Sequence, residues 1–157
     1  MTPEHKSDQV SEFFNLYAKS GSDARSLAAH YTFPCFIAAD RGEIVTMPMT
    51  NEQELVELLG RILGMYKAIG VDSASVTNLI STHLSPLLSV NQVDWELRDS
   101  AGAKLYSFRA VYTLVKTDNT LKICSLAACE IPHYMECVAR LKAACRPGEA
   151  SQVAHPK

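Results

Sequence analysis

The chain has 157 residues, of which 47% are hydrophobic and 20% charged, and a formal net charge of -2. That length suits one domain able to bury its own hydrophobic core without metal or disulfide staples. The composition excludes a disordered or collagen-like chain, and the charge balance leaves no broad positive field for nucleic acid or anionic lipid.

In chain order, the first element is a helix opening between Thr2 and Asp8. Thr2-Pro3 has the form of a cap followed by a first-turn proline, and Ser7-Asp8 offers a second start. Val10, Phe13, Phe14 and Tyr17 recur at helical spacing and form one apolar stripe, which Gly21 ends. A short helix follows from Asp23 to His30, with Ser22 or Asp23 as its cap and Leu27, Ala28 and Tyr31 turned inward. Pro34 ends it, because a residue before proline is pushed out of the helical region. Cys35–Ala39 and Glu43–Met47 read as a hairpin turned by Asp40-Arg41-Gly42.

A capping box at Thr50 and Gln53 opens the third helix. Its stripe runs through Leu55, Leu59, Ile62, Tyr66 and Ile69, and Gly70 caps its end. Gly60 and Gly64 are expected to let this helix approach a sheet closely. After Gly70 the hydrophobic period changes toward two, which predicts strands at Ala74–Leu84, Ser89–Arg98, Lys104–Lys116 and Leu121–Cys129. The third of these is expected to be the longest. Val93, Trp95 and Leu97 share one face, as do Tyr106, Phe108, Ala110, Tyr112 and Leu114. The last two strands are apolar on both sides, so a second cover is expected beyond the helices. A homodimer through the sheet face supplies it. A last helix starts at Pro132, with Tyr134, Val138, Leu141 and Ala144 on one face, and ends at Pro147-Gly148. The domain is read as residues 1–146, with 147–157 a polar, flexible tail.

Helix, short helix, hairpin, long helix and then strands joined by tight turns is an order that resembles the nuclear-transport-factor-2-like (NTF2-like) superfamily, in particular its SnoaL-like, polyketide-cyclase-like branch. Three stretches carry the resemblance: Phe13 to Pro34 with Phe14, Tyr17, Asp23, Leu27 and Tyr31; Val93-Asp94-Trp95-Glu96-Leu97-Arg98-Asp99 through Gly102; and Tyr106 to Tyr112 followed by Thr117-Asp118 and the strand to Cys129. Together they span roughly residues 8 to 130. The resemblance implies an α+β fold of the NTF2-like, cystatin-like kind, with a cone-shaped, curved mixed sheet wrapped around N-terminal helices and a short extra C-terminal helix. It also implies an apolar pocket. Members include isomerases, cyclases, dehydratases and epoxide hydrolases beside non-catalytic binding and assembly domains, so a pocket is implied more directly than a reaction.

The sequence assigns no catalytic residue; the candidates are Asp40, His83 and Tyr17. Asp40 lies near the hairpin, where related isomerases carry their base, but it also belongs to an ordinary turn. The first-helix tyrosine of those isomerases falls at Phe14, one turn before Tyr17, and the stretch matching their base reads Phe36-Ile37-Ala38-Ala39. Ketosteroid isomerase activity is therefore unsupported. Residues expected to bind ligand are Tyr17, Tyr31, Phe36, Tyr66, Trp95, Arg109 and Tyr112. Each tyrosine doubles as core, with a hydroxyl that needs a partner when buried. Arg109 is either an anion anchor or half of a cross-strand ion pair with Asp94 or Glu96.

His30 and His83 suit acid–base work or plain hydrogen bonding. Cys35 and Cys124 read as small core residues. The five cysteines form no CxxC and the histidines no HExxH, so no metal and no cofactor is expected. Free thiols, a polar N-terminus and no long apolar run predict a cytoplasmic protein. The expected partner is a small apolar or mixed-polarity molecule, with neither nucleic acid nor membrane. The functional reading is small hydrophobic-molecule binding in an apolar pocket. The alternatives are a cofactor-independent isomerase, cyclase, dehydratase or hydrolase of the SnoaL-like type, or a non-catalytic dimerisation or assembly domain.

Overall fold

The computed structural model describes residues 3–145, with side chains from Asp8 onward. The expected tail at 147–157 and the helix stop at Pro147-Gly148 lie outside the described residues. The elements are α1 (Pro3–Lys19), α2 (Ala24–Ala28), β1 (Tyr31–Asp40), β2 (Ile44–Met49), α3 (Glu52–Ile69), β3 (Val71–Ser85), β4 (Leu88–Asp99), β5 (Lys104–Thr117), β6 (Thr120–Cys129) and α4 (Ile131–Ala144). This is the α+β class expected from the change of hydrophobic period.

The six strands form one sheet in the order β2-β1-β6-β5-β4-β3. Strand β1 runs parallel to β6, and every other neighbouring pair is antiparallel. Register shifts interrupt β3 at three places, between Val71 and Ser73, Val76 and Asn78, and His83 and Ser85. Further shifts fall at Leu97/Arg98 and Thr113/Leu114. Each shift bends and twists its strand locally, and the sheet curves around the helices. One face of β4 carries Ser89, Asn91, Val93, Trp95 and Leu97, all buried. Pairing continues that inner face across Ala110 and Tyr112 of β5 to Ala128 and Leu126 of β6.

The stripe on α1 enters the hollow of this sheet as its spacing predicts. Val10, Phe13 and Phe14 are buried, and the Phe14 ring lies 5.0 Å from Tyr112 and 6.5 Å from Trp95. Helix α3 buries Leu55, Leu58 and Leu59. Helix α4 lies against β5, with Tyr134 edge-on to Tyr106 at 6.2 Å and the Arg140 guanidinium donating to the Leu105 carbonyl at 2.6 Å.

Several local expectations need correction. Helix α2 ends at Ala28, because the chain turns at Ala29-His30 and Tyr31 already pairs with Ile123. The N-cap of α3 is Asn51, whose side chain accepts from the Glu54 N–H at 3.0 Å, while the Glu54 carboxylate reaches back to the Thr50 N–H at 2.8 Å. The box is thus displaced by one residue from the Thr50/Gln53 reading. The longest strand is β3, with 15 residues, not β5, with 14. The inward face of α4 is Tyr134 and Cys137; Leu141 and Ala144 are exposed. A Cβ added at Gly60 or Gly64 would meet nothing within 4 Å, so neither glycine serves close packing.

Candidate functional site

Between α1, α3 and the inner face of the sheet lies a cavity of about 740 Å³. Its walls are Tyr17 of α1, Leu59, Ile62 and Tyr66 of α3, Trp95 of β4, and Phe108 and Tyr112 of β5. Exposed Lys19, Lys67 and Asp72 mark its opening. The hollow exists because α3 turns its apolar stripe toward a sheet that curves away from it.

The side chain that stands out is Glu130. Along β6 the inward positions run Leu126, Ala128 and then Glu130, one residue past the end of the strand. Alternation therefore carries a carboxylate into an otherwise greasy wall. Tyr66 of α3 donates to it, with its hydroxyl 2.5 Å from Oε1 and 2.7 Å from Oε2. Among the described residues the ion pairs are Arg98–Glu96 and Arg109–Asp94, so no cation answers Glu130. Burial pushes its carboxyl up to about 7, and the Tyr66 hydrogen bond only partly opposes this. Burial and the Glu130 charge in turn push the Tyr66 phenol well above its ordinary value.

Two further hydroxyl contacts frame the cavity. Tyr17 and Tyr31 share a hydrogen bond at 2.7 Å. Trp95 Nε1 donates to the Tyr112 hydroxyl at 2.9 Å. Burial holds all three phenols above their usual range, Tyr17 at about 12. They are neutral at any ordinary pH and act as hydrogen-bonding groups.

Of the residues expected to bind ligand, the structure brings Tyr17, Tyr66, Trp95 and Tyr112 to the cavity wall. Tyr31 is buried behind Tyr17 and steadies its hydroxyl. Phe36 and Arg109 do not reach the cavity. Phe36 is 47% exposed on the outer face, and Arg109 points outward to grip Asp94 through two bonds of 2.7 and 3.1 Å. The cross-strand ion pair is the role the structure gives Arg109, because Asp94 stands directly opposite it.

Among the catalytic candidates only Tyr17 faces the cavity. Asp40 lies on the outer side of β1, where its carboxylate accepts from the Gly42 N–H at 2.9 Å and so closes the turn. His83 is exposed, beside a separate hollow of about 430 Å³ near the β3–β4 turn. His30 is half-buried and bonded to Ser20 at 3.1 Å; burial, and then the Lys122 charge, lower its pKa. Sequence reasoning missed Glu130. The available signal was parity, an acid two residues beyond the inward Ala128 and one past the end of β6. Among the described residues no group of His, Cys, Asp or Glu is placed to hold a metal ion, and no helix is long and apolar enough to cross a membrane.

A curved six-stranded sheet wrapped around N-terminal helices, with a sheltered apolar hollow, defines an NTF2-like protein of cystatin-like fold. More specifically, the chain belongs to the NTF2-like protein family DUF6841, whose family model matches residues 6–131. No curated protein matches the sequence. Among solved structures, the chain is similar to a protein of unknown function with a cystatin-like fold from Nostoc punctiforme, at TM-score 0.64 and 11% identity over 82% of this chain and 92% of that one. An NTF-2 like protein of unknown function from Shewanella oneidensis gives 0.62 and 11% over 80% and 99%. Aln2 from a Streptomyces species gives 0.62 and 14% over 82% and 91%. At these identities the likeness is one of fold.

Proposed function

We propose that the protein binds a small, mostly apolar molecule in the cavity between α1, α3 and the sheet, with Glu130 as the polar contact at its wall. The observation that carries this reading is an uncompensated carboxylate inside an apolar hollow of about 740 Å³, a size that suits a small organic ligand. A carboxyl kept without a cationic partner costs stability. Its position against the ligand space is what such a cost would serve. Trp95 is the chain's one tryptophan and lines the cavity, so its indole N–H resonance reports occupancy. Tetralin, a bicyclic hydrocarbon, is expected to shift that resonance saturably. An unmoved Trp95 signal up to the solubility limit contradicts the reading.

A second reading adds chemistry. A carboxyl that titrates near neutrality is matched to take or give a proton at working pH. This favours proton transfer of the kind used by cofactor-independent SnoaL-like isomerases and cyclases over a purely structural cavity. Exchange of the α-hydrogens of 2-tetralone in heavy water is expected to be faster with the protein than without it. That acceleration is expected to vanish in Glu130→Gln. Equal rates for the two proteins would remove Glu130 from any such role.

We also propose a second copy of the chain as a partner on the outer face of the sheet. There Val90, Val111 and Val115 are half-buried. A mass in solution twice that of the chain, kept on dilution, is the expected result; a monomer at every concentration contradicts it. All five cysteines are free, which suits a reducing compartment such as the cytoplasm.

A further inference from the structure

Hydrogen-bond accounting at the cavity wall narrows the ligand class. A tyrosine hydroxyl has one hydrogen to donate and two lone pairs, whereas an indole N–H can only donate. Because Trp95 Nε1 donates to the Tyr112 oxygen at 2.9 Å, the hydrogen of Tyr112 must go elsewhere. No described group accepts it. In the Tyr17–Tyr31 pair one hydroxyl donates to the other, and one hydrogen is again left over. Tyr17 and Tyr112 both line the cavity, with ring centroids 6.0 Å apart. A buried donor without an acceptor is costly, so at Tyr112 this end of the hollow holds a donor that a ligand would satisfy.

Resting on the binding reading above, we infer that the ligand carries an uncharged carbonyl oxygen, accepted into the cavity by the Tyr112 hydroxyl with Tyr17 beside it. A carbonyl fits because its sp2 oxygen accepts and cannot donate, and the Tyr112 hydroxyl has a hydrogen to give. A carboxylate does not, because it would share a poorly solvated space with Glu130. A plain hydrocarbon leaves that donor unmet. Tyr112 is then the residue that sets specificity, and Trp95 holds its hydroxyl in orientation.

The test compares 2-tetralone with tetralin, two bicyclic molecules of similar size that differ by the ketone, by titrating the Trp95 indole resonance. An apolar hollow without donors would prefer tetralin, the greasier of the two. The expected result is that 2-tetralone binds about tenfold more tightly, the worth of roughly one net hydrogen bond. Tyr112→Phe is expected to abolish that preference. Because this variant also takes the acceptor from Trp95, a second measurement uses the unaltered protein: the carbonyl carbon of 13C-labelled 2-tetralone is expected to move downfield on binding, relative to its position in cyclohexane. Tetralin binding as tightly as the ketone, or an unshifted carbonyl, overturns the inference and leaves the cavity reading standing. Binding of neither molecule overturns both.

Discussion

Glu130→Gln is expected to make the protein more stable at pH 8, by about 3 kcal/mol. The sign follows from where the proton sits. In the unfolded chain the carboxyl ionises at its ordinary value near 4.5, whereas in the fold burial holds the proton to about pH 7. Between those two values the folded state binds more protons than the unfolded state, so stability falls as pH rises. Below about 4.5 both states are protonated and the loss is absent; above about 7 both are ionised and it is complete. Gln keeps the size of the side chain and an oxygen for the Tyr66 hydroxyl, but carries no charge. The variant's melting temperature at pH 8 is therefore expected to exceed the wild type's by roughly 6–12 °C, given about 2–4 °C per kcal/mol for a chain of this size. The difference should close toward pH 4.5. Melting curves across that range decide the matter, and a variant that melts at or below the wild type at pH 8 would mean that the ionised carboxylate is well satisfied in the fold.

Phe14→Ala is the second large effect, and its cause is packing alone. Phe14 is fully buried, edge-on to Phe13 at 5.1 Å and against Tyr112 at 5.0 Å and Trp95 at 6.5 Å. It backs the two side chains whose hydrogen bond frames the cavity wall. Removing the ring deletes its transfer energy and leaves a void that a close-packed core closes only in part. The expected loss is about 3–5 kcal/mol at any pH. It should be read as a lower denaturant midpoint with an unchanged slope. A loss below about 1 kcal/mol would mean that α1 does not sit in the hollow of the sheet as described.

These two residues also mark how far the sequence could be read. Phe14 was legible, because Val10, Phe13, Phe14 and Tyr17 repeat at helical spacing and a stripe that wide has to be buried. The inner face of β4 was legible for the same kind of reason, since Val93, Trp95 and Leu97 alternate strictly with polar residues. Strand β3 was less clear. Its three register shifts break the period of two, so Val71–Ser73 did not read as strand. The start of β1 was hidden by Pro34, which removes a ladder donor and sits where the pairing with β6 shifts between Tyr31 and Phe36.

The candidate site was only half visible. Tyr17, Tyr66, Trp95 and Tyr112 were found because periodic aromatic residues mark inward faces. Phe36 was misplaced because β1 carries apolar residues on both faces, whereas Arg109 took the second of its two readings, the cross-strand pair with Asp94. Parity along β6 turns Glu130 inward, but local pattern does not mark it as part of a site. Its meaning comes from Tyr66, 64 residues earlier in the chain, and from a cavity that only the curved sheet creates.

The most direct measurement is the titration of the Glu130 side-chain carboxyl by 13C NMR, assigned by its loss from the Glu130→Gln spectrum. A carboxylate sheltered in an apolar hollow, with a tyrosine but no cation beside it, is expected to titrate with a midpoint near 7. A midpoint at the ordinary glutamate value near 4.5 would mean that water or an unrecognised cation reaches Glu130. The sheltered site described above would then not exist.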